Sequence, residues 1–187
     1  MNRFICLNLD SSYNHKMFYD KVPEESFEDF GLDNMVILRN EVDKLNMTEV
    51  EGIPFRISNV SKDNIECEQQ KLQVNKKANR IHFLGFAYWG STNESFKITY
   101  ENDLEEIVRV PFLDLNHRHK ESEHVKAWYG NNVTTPKVVI SAGNSLQMIS
   151  FHHSFIDLYG NQKIKEIVCP DNFFIHIFAI TLEKLED

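Results

Sequence analysis

The chain has 187 residues, of which 42% are hydrophobic and 12% aromatic, a composition typical of a globular domain with a substantial buried core. Its formal net charge of −8 argues against nucleic acid or an anionic membrane as a partner, because both bind basic surfaces. No apolar run approaches the roughly 20 residues that cross a bilayer, and Met1–Asp10 lacks the apolar core of a secretory signal. The 3 cysteines show no pairing pattern and fit reduced thiols, so we predict a cytoplasmic protein. The length predicts one domain spanning residues 1–187.

Strand-like segments follow one another along the chain with little helix between them. Brief helix signals occur at Pro23–Phe30 and Glu41–Asn46. Many strands joined by short turns are typical of an antiparallel β-sandwich, so the predicted fold is all-β, jelly-roll-like, with at most two short helices. The predicted strands, in chain order, are Phe4–Leu9, Met35–Arg39, Ile53–Ile57, Lys71–Val74, Arg80–Trp89, Ser95–Tyr100, Glu106–Phe112, Lys137–Ser141, Leu146–Ile156, Ile164–Cys169 and Phe173–Leu182.

The segment from Ser95 to Phe112 has the pattern of a β-hairpin. Apolar and polar residues alternate along both of its strands, as expected when one face of each is buried. Between the strands, Asn102 and Asp103 are residue types that accept the positive φ of a tight turn. With the neighbouring apolar strands, this hairpin predicts a core that contains Ile81, Phe83, Phe96, Ile98, Val108, Val110, Ile177 and Ala179.

Two predicted strands, Arg80–Trp89 and Phe173–Leu182, are apolar on both faces. Such strands belong in the middle of a stack of sheets, where neither face meets water. In the second strand, strict alternation puts Phe173, Ile175 and Ile177 on one face and Phe174, Phe178 and Ile180 on the other. In the first, the pattern favours Tyr88 and Trp89 as the end of a buried strand, and the alternative is that their rings contribute to a sugar-binding site.

Several segments spread along nearly the whole chain form a recognisable set: Leu7–Leu9 with Tyr13-Asn14, Glu51–Ile57, Ile81–Ala87, the Phe96–Val110 hairpin with Leu113-Asp114, and Ile175–Leu182. Together they resemble a family of β-sandwich domains found beside bacterial glycoside hydrolases. They are similar to carbohydrate-binding modules and galactose-binding-like jelly rolls. The resemblance implies a non-catalytic ligand-binding module, with a carbohydrate or glycan as its ligand, and no cofactor.

The polar, irregular stretch 116–135 is the predicted ligand-binding loop. Sugar rings present apolar C–H faces, so their sites combine flat aromatic rings with polar groups that fix the hydroxyls. Trp128 and Tyr129 supply the rings, and the predicted polar partners are His117, His119 and Asn131.

The same stretch supports a second hypothesis, a cupin-like metal-dependent enzyme. His117, His119 and Glu123 have the spacing of the first metal motif of the cupin jelly rolls, and histidines at i and i+2 of a strand share a face. A second motif that would supply a further histidine is not found. A hydrophilic, histidine-rich loop without metal is the simpler interpretation, and a protein-interaction β-sandwich without a small ligand is a third hypothesis.

The remaining reactive side chains are predicted to be structural. His152 and His153 are adjacent in a strand and face opposite sides, so they do not bind one metal ion together. His82 and His176 lie in the two most apolar strands and are interpreted as core residues. Charges beside Cys67 are expected to raise the pKa of its thiol, which argues against a nucleophile.

Aromatic residues near the carboxyl end exceed what one core requires. Phe151, Phe155 and Tyr159 are predicted to share one side of a strand, with Phe173-Phe174 close by in sequence. Exposed sheet faces and edges of this kind are usually covered or paired, so we expect a homodimer that buries part of this surface. The alternative is a monomer in which these residues fill the sandwich.

Overall fold

A computed structural model describes residues 3–21, 35–39, 49–58, 61–115, 133–142, 145–160 and 162–184. Each predicted strand has a counterpart, and the short strands β2, β4 and β6 were not predicted. The predicted helical segments Pro23–Phe30 and Glu41–Asn46 lie outside the described residues. The strands are β1 (Phe4–Cys6), β2 (Phe18–Tyr19), β3 (Met35–Leu38), β4 (Glu49–Val50), β5 (Ile53–Pro54), β6 (Ile65–Glu68), β7 (Lys71–Lys77), β8 (Arg80–Ala87), β9 (Thr92–Tyr100), β10 (Glu105–Phe112), β11 (Val133–Ala142), β12 (Ser145–Asp157), β13 (Lys163–Val168) and β14 (Asp171–Glu183).

The described strands form two main sheets. The larger has the order β1-β14-β8-β12-β11-β3-β2, and the smaller has the order β10-β9-β13-β7. Strand β6 also belongs to the larger sheet, where it pairs with the amino-terminal half of β14. Strands β4 and β5 form a separate short pair. Among the described strands, every pairing is antiparallel except that of β2 with β3, which is parallel. This arrangement confirms the predicted all-β, antiparallel sandwich.

Both faces of the larger sheet are buried, which explains why β8 and β14 are apolar on both sides. One face packs on the smaller sheet, where Phe83 of β8 contacts Phe96 of β9 and Phe112 of β10. The other face carries a second core in which Phe178 of β14 stacks on Phe18 at 5.1 Å between ring centroids. Every residue of the predicted core is buried.

A β-bulge in β14 corrects the predicted assignment of side chains to faces. The register of β14 against β8 shifts between Ile177 and Ala179. As a result Ile180 lies in the same core as Ile177, whereas strict alternation placed it with Phe178. One extra residue in a strand reverses the alternation beyond it, and hydrophobicity alone does not reveal it in a strand that is apolar throughout.

The hairpin of β9 and β10 forms as predicted, with Thr92 paired to Phe112 and Thr99 to Glu105. Asp103 has a φ of 59° in the connecting turn, and its N–H donates to the carbonyl of Tyr100 at 3.0 Å.

Within the described ranges, we find no helical segment with the length and apolar character that crossing a membrane requires.

The aromatic residues near the carboxyl end divide between core and surface. Phe151 is fully buried in the second core and packs on Phe178, so it does not belong to an exposed aromatic face as predicted. Phe155 is partly buried beneath the guanidinium of Arg80. Tyr159 remains 86% exposed and Phe173 remains 53% exposed.

Candidate functional site

An exposed aromatic surface lies where β8 ends. Trp89 is 73% exposed, and its backbone has a φ of 68°. Its ring meets that of Tyr88 edge to face at 5.7 Å. The N–H of Tyr88 donates to the carbonyl of Phe174, which brings Phe173 and Phe174 of β14 to the same end of the sheet. We call Tyr88, Trp89, Phe173 and Phe174 the aromatic surface.

Polar groups fix the backbone that carries Trp89. The carboxylate of Asp114 accepts the N–H of Gly90 at 2.7 Å, and the N–H of Asp114 donates to the hydroxyl of Ser91 at 2.9 Å. On the β14 side, the amide of Asn172 donates to the carboxylate of Glu94 at 2.8 Å. These bonds fix the turn that follows Trp89, and they place hydroxyl, amide and carboxylate groups at the same end of the sandwich.

A second group of polar side chains joins the amino-terminal segment to β6 and β14. His15, Glu66 and His176 each point one donor atom at a common centre, and these three atoms lie within 4.8 Å of one another. The Nε2 atom of His15 is 4.0 Å from the Glu66 carboxylate. The Nε2 atoms of His15 and His176 are buried and have no hydrogen-bond partner among the described residues.

Asn64 orients both histidines of this group. Its side-chain nitrogen donates to a carboxylate oxygen of Asp63 at 2.9 Å. Because an ionised carboxylate only accepts hydrogen bonds, this contact fixes which end of the Asn64 amide is the NH₂ group. The same NH₂ donates to Nδ1 of His15 at 3.2 Å, and the amide oxygen accepts the Nδ1–H of His176 at 2.9 Å. His176 therefore presents the lone pair of Nε2 to the centre.

Burial controls the protonation of this group. It lowers the pKa of His15 and holds that of His176 well below the ordinary value. Burial also raises the pKa of Glu66, and the nearby charge of Glu68 adds to the effect. Both imidazoles are therefore neutral near pH 7, which is the form that binds metal ions.

A third group forms a hydrogen-bonded chain through the larger sheet. The Nε2 of His153 lies 2.9 Å from Nδ1 of His82, and Nε2 of His82 lies 3.0 Å from the Glu183 carboxylate. Arg3 donates to the same carboxylate at 2.8 Å. Because an ionised carboxylate only accepts, His82 donates to Glu183 and His153 donates to His82.

The pKa values in this chain follow from burial and charge. Burial lowers the pKa of His153 to about 4, with a further contribution from the charges of His82 and Arg80. Burial likewise lowers the pKa of His82. Burial alone would raise the pKa of Glu183, but hydrogen bonds from Arg3 and His82 hold it below its usual range.

The described architecture agrees with a known family of domains. A family model described as the AziU2-like beta-sandwich domain matches residues 41–186, most of the chain. The chain belongs to the AziU2-like β-sandwich family. No curated protein matches the sequence of this AziU2-like domain. The family match confirms the β-sandwich part of the predicted resemblance, and its carbohydrate-binding part stays a prediction.

The predicted ligand and metal residues of the AziU2-like domain are not placed by the structure. Trp128, Tyr129, His117, His119 and Asn131 lie outside the described residues, as does Glu123 of the cupin-like motif. Both site hypotheses on this stretch therefore stay predictions.

The interpretation of Trp89 as the end of a buried strand is wrong. Strand β8 ends at Ala87, and the chain turns at Gly90. Gly90 and Ser91, directly after the tryptophan, were the sequence signal for this turn.

The other reactive side chains are placed largely as predicted. His152 and His153 are both buried, and they meet different groups: His152 contacts the carbonyl of Asp114, and His153 contacts His82. Cys67 is buried and free, and its pKa lies well above the ordinary value, mainly because of burial and then because of the neighbouring Cys169.

The grouping of His15, Glu66 and His176 is not predicted by the sequence. The three residues are far apart in the chain and share no spacing motif, so only the fold brings them together. His176 was correctly assigned to the core, since it is fully buried.

Proposed function

We propose that this AziU2-like domain is a non-catalytic binding module that takes a carbohydrate on the aromatic surface around Trp89. The observation that supports this most is the conformation of Trp89, exposed by 73% at a φ of 68°. A left-handed backbone costs a bulky L-residue about 1–2 kcal/mol, and an exposed indole ring gains little from the core. Strain of this kind concentrates where a side chain meets a ligand.

The chemistry around Trp89 suits a sugar. A flat indole covers the apolar C–H face of a pyranose ring, and hydroxyl, amide and carboxylate groups bind the ring hydroxyls. Ser91, Asn172, Glu94 and Asp114 supply such groups within the same end of the sandwich. The resemblance of the core strands to galactose-binding-like modules supports the same ligand class.

We also propose that the protein acts in a reducing compartment such as the cytoplasm. Cys6, Cys67 and Cys169 are all free thiols. The cysteines are odd in number, 3 in the chain, and show no pairing pattern. Such cysteine usage is typical of proteins whose surroundings keep thiols reduced.

A glycan array tests the ligand class, with calorimetry on any sugar that binds. We expect binding by the natural protein and a loss of affinity of at least about tenfold in Trp89→Ala, since the stacked ring supplies much of the contact. The matched control is Tyr159→Ala, which removes an aromatic ring that is 86% exposed and lies outside the aromatic surface.

Two results would contradict the proposal. A folded sample that binds no sugar on the array would favour a protein-interaction role. The other result is that the natural protein, Trp89→Ala and Tyr159→Ala bind a sugar with equal affinity, which would show that the sugar does not contact Trp89. In that case Trp128→Ala tests the predicted loop site.

A further inference from the structure

We propose that His15, Glu66 and His176 bind a divalent transition-metal ion, with Zn²⁺ the best match to their donor atoms. Two imidazole nitrogens and one carboxylate oxygen form a ligand set that Zn²⁺ accepts in proteins, and it leaves one coordination position open. The three donors come from the amino-terminal segment, β6 and β14. A bound ion would therefore connect three parts of the fold.

The distances permit this site after a small movement. The three donor atoms lie within 4.8 Å of one another. Metal bonds of about 2.0–2.2 Å in tetrahedral geometry place donor atoms roughly 3.4 Å apart, so the donor atoms must approach one another by up to about 1.4 Å. His15 and Glu66 are partly exposed, with 13% and 20% of their side-chain surface accessible, which gives an ion a route from solvent to the buried His176.

The buried nitrogen atoms point to a ligand here, and the bonds around them show that the site is already formed. The Nε2 atoms of His15 and His176 are buried without a hydrogen-bond partner among the described residues, although buried polar atoms are nearly always paired. The surrounding backbone is also firmly held. Asn14 bonds both the N–H and the carbonyl of Glu66, and Asp63 accepts the N–H groups of Met17 and Phe18.

Asn64 acts as a positioning residue and imposes one cost on binding. It fixes His176 with the Nε2 lone pair facing the centre, as the amide oxygen accepts from Nδ1–H. Because the amide donates to Nδ1 of His15, that ring holds its proton on Nε2 without the ion. Coordination requires His15 to carry the proton on Nδ1, so the bond from Asn64 must break. The loss of this bond lowers the affinity for the ion, but His15, Glu66 and His176 remain the three ligands.

The test uses the untagged full chain, stripped of metal by a chelator and titrated with Zn²⁺ alone and with Co²⁺ alone. We expect about one ion per chain by elemental analysis, visible d–d absorption from bound Co²⁺, and a rise in melting temperature with Zn²⁺. Circular dichroism of each sample checks that the protein is folded.

Variants assign the site. Glu66→Gln and His15→Ala change partly exposed residues, so they are expected to fold and to weaken Zn²⁺ binding by at least about tenfold. Glu68→Gln is the matched control, because it removes a nearby exposed carboxylate that is not a ligand. The double variant His117→Ala/His119→Ala, in the predicted metal loop, is expected to keep the ion.

Two results would overturn the assignment. One is a folded natural protein that binds neither ion in stoichiometric amount. The other is unchanged binding in both Glu66→Gln and His15→Ala, with or without loss in the loop variant. Neither result bears on sugar binding at Trp89, so the two proposals fail separately.

Discussion

At the scale of single residues, Trp89 combines a left-handed backbone with an exposed ring. Glycine adopts this conformation without steric cost, whereas every residue with a Cβ pays for it. A chain selected only for stability would therefore favour glycine at this position. The tryptophan is explained if its ring contributes to binding.

We predict that Trp89→Gly is more stable than Trp89→Ala by about 1 kcal/mol, since only glycine relieves the left-handed strain. Both variants lose the indole, so they differ only in backbone preference. Urea unfolding of the two proteins measures the difference. A glycine variant less stable than the alanine variant would show that the positive φ is not strained.

The buried chain of His153, His82 and Glu183 predicts that stability falls with acid. Unfolded histidine has a pKa near 6.5, whereas burial lowers that of His153 to about 4. Between these values the unfolded state binds the proton and the folded state does not, so stability decreases as pH falls from about 6.5 to about 4. His153 alone accounts for about 3 kcal/mol across this window. Above pH 6.5 it has no effect.

Denaturant unfolding at several pH values, with His153→Gln for comparison, checks this. Glutamine keeps a donor for His82 but does not titrate, so its stability should fall less steeply between pH 6.5 and 4. The titratable and charged groups that act on His153 are His82 and Arg80, and Glu183 bonds His82. All three are unchanged in the variant. Parallel slopes for the two proteins would exclude His153 as the source.

At the scale of elements, the hydrophobic pattern predicts the strands but not their deviations. Apolar and polar residues alternate along β9 and β10 because one face of each strand is exposed. This alternation predicts how the two strands pair and where the turn between them lies. In β14 both faces are apolar, so the bulge between Ile177 and Ala179 left no mark in the pattern. Strands as short as β2 and β4 are formed by tertiary contacts, and two residues carry too little pattern to predict.

The close approach of β8 to β14 at Gly85 leads to a further prediction. A Cβ added at Gly85 would lie 2.3 Å from the carbonyl oxygen of His176, and that atom belongs to backbone that cannot rotate away. Gly85→Ala is therefore expected to lower the free energy of unfolding by about 1–3 kcal/mol or more.

Gly52→Ala is the control for this substitution. Gly52 has a φ of 77° but open space around it, so alanine there should cost only about 1 kcal/mol. Thermal or denaturant unfolding ranks the two variants. If Gly85→Ala were the milder change, the two strands would not be packed as closely as described.

At the scale of the whole molecule, the exposed aromatic side chains predict self-association. Phe151 lies in the core, and Phe173 belongs to the aromatic surface, at the opposite end of β8 from Tyr159. The surface that a homodimer could bury is therefore smaller than the sequence indicated and is centred on Tyr159. We still expect a dimer with two-fold symmetry, in which aromatic rings pair across the interface. Light scattering at micromolar concentration decides this, and a single species at the monomer mass of 22.0 kDa would contradict it.

The sequence predicts the sandwich better than it predicts the candidate sites. Core strands repeat a pattern many times, whereas Trp89 depends on one turn at Gly90. The grouping of His15 with His176 depends on strand order, which no local pattern contains. The predicted loop residues Trp128 and Tyr129 rest on residue type alone and lie outside the described part of the chain.

The most direct test of the central claim is the response of the indole N–H signals in a two-dimensional NMR spectrum when a sugar is added. The chain has 2 tryptophans, Trp89 and Trp128, so two signals are expected, and a Trp89→Phe sample assigns them. Binding at the aromatic surface predicts a saturable shift of the Trp89 signal. A shift confined to Trp128 would place the sugar on the predicted loop, and no shift of either signal with any sugar tested would contradict carbohydrate binding.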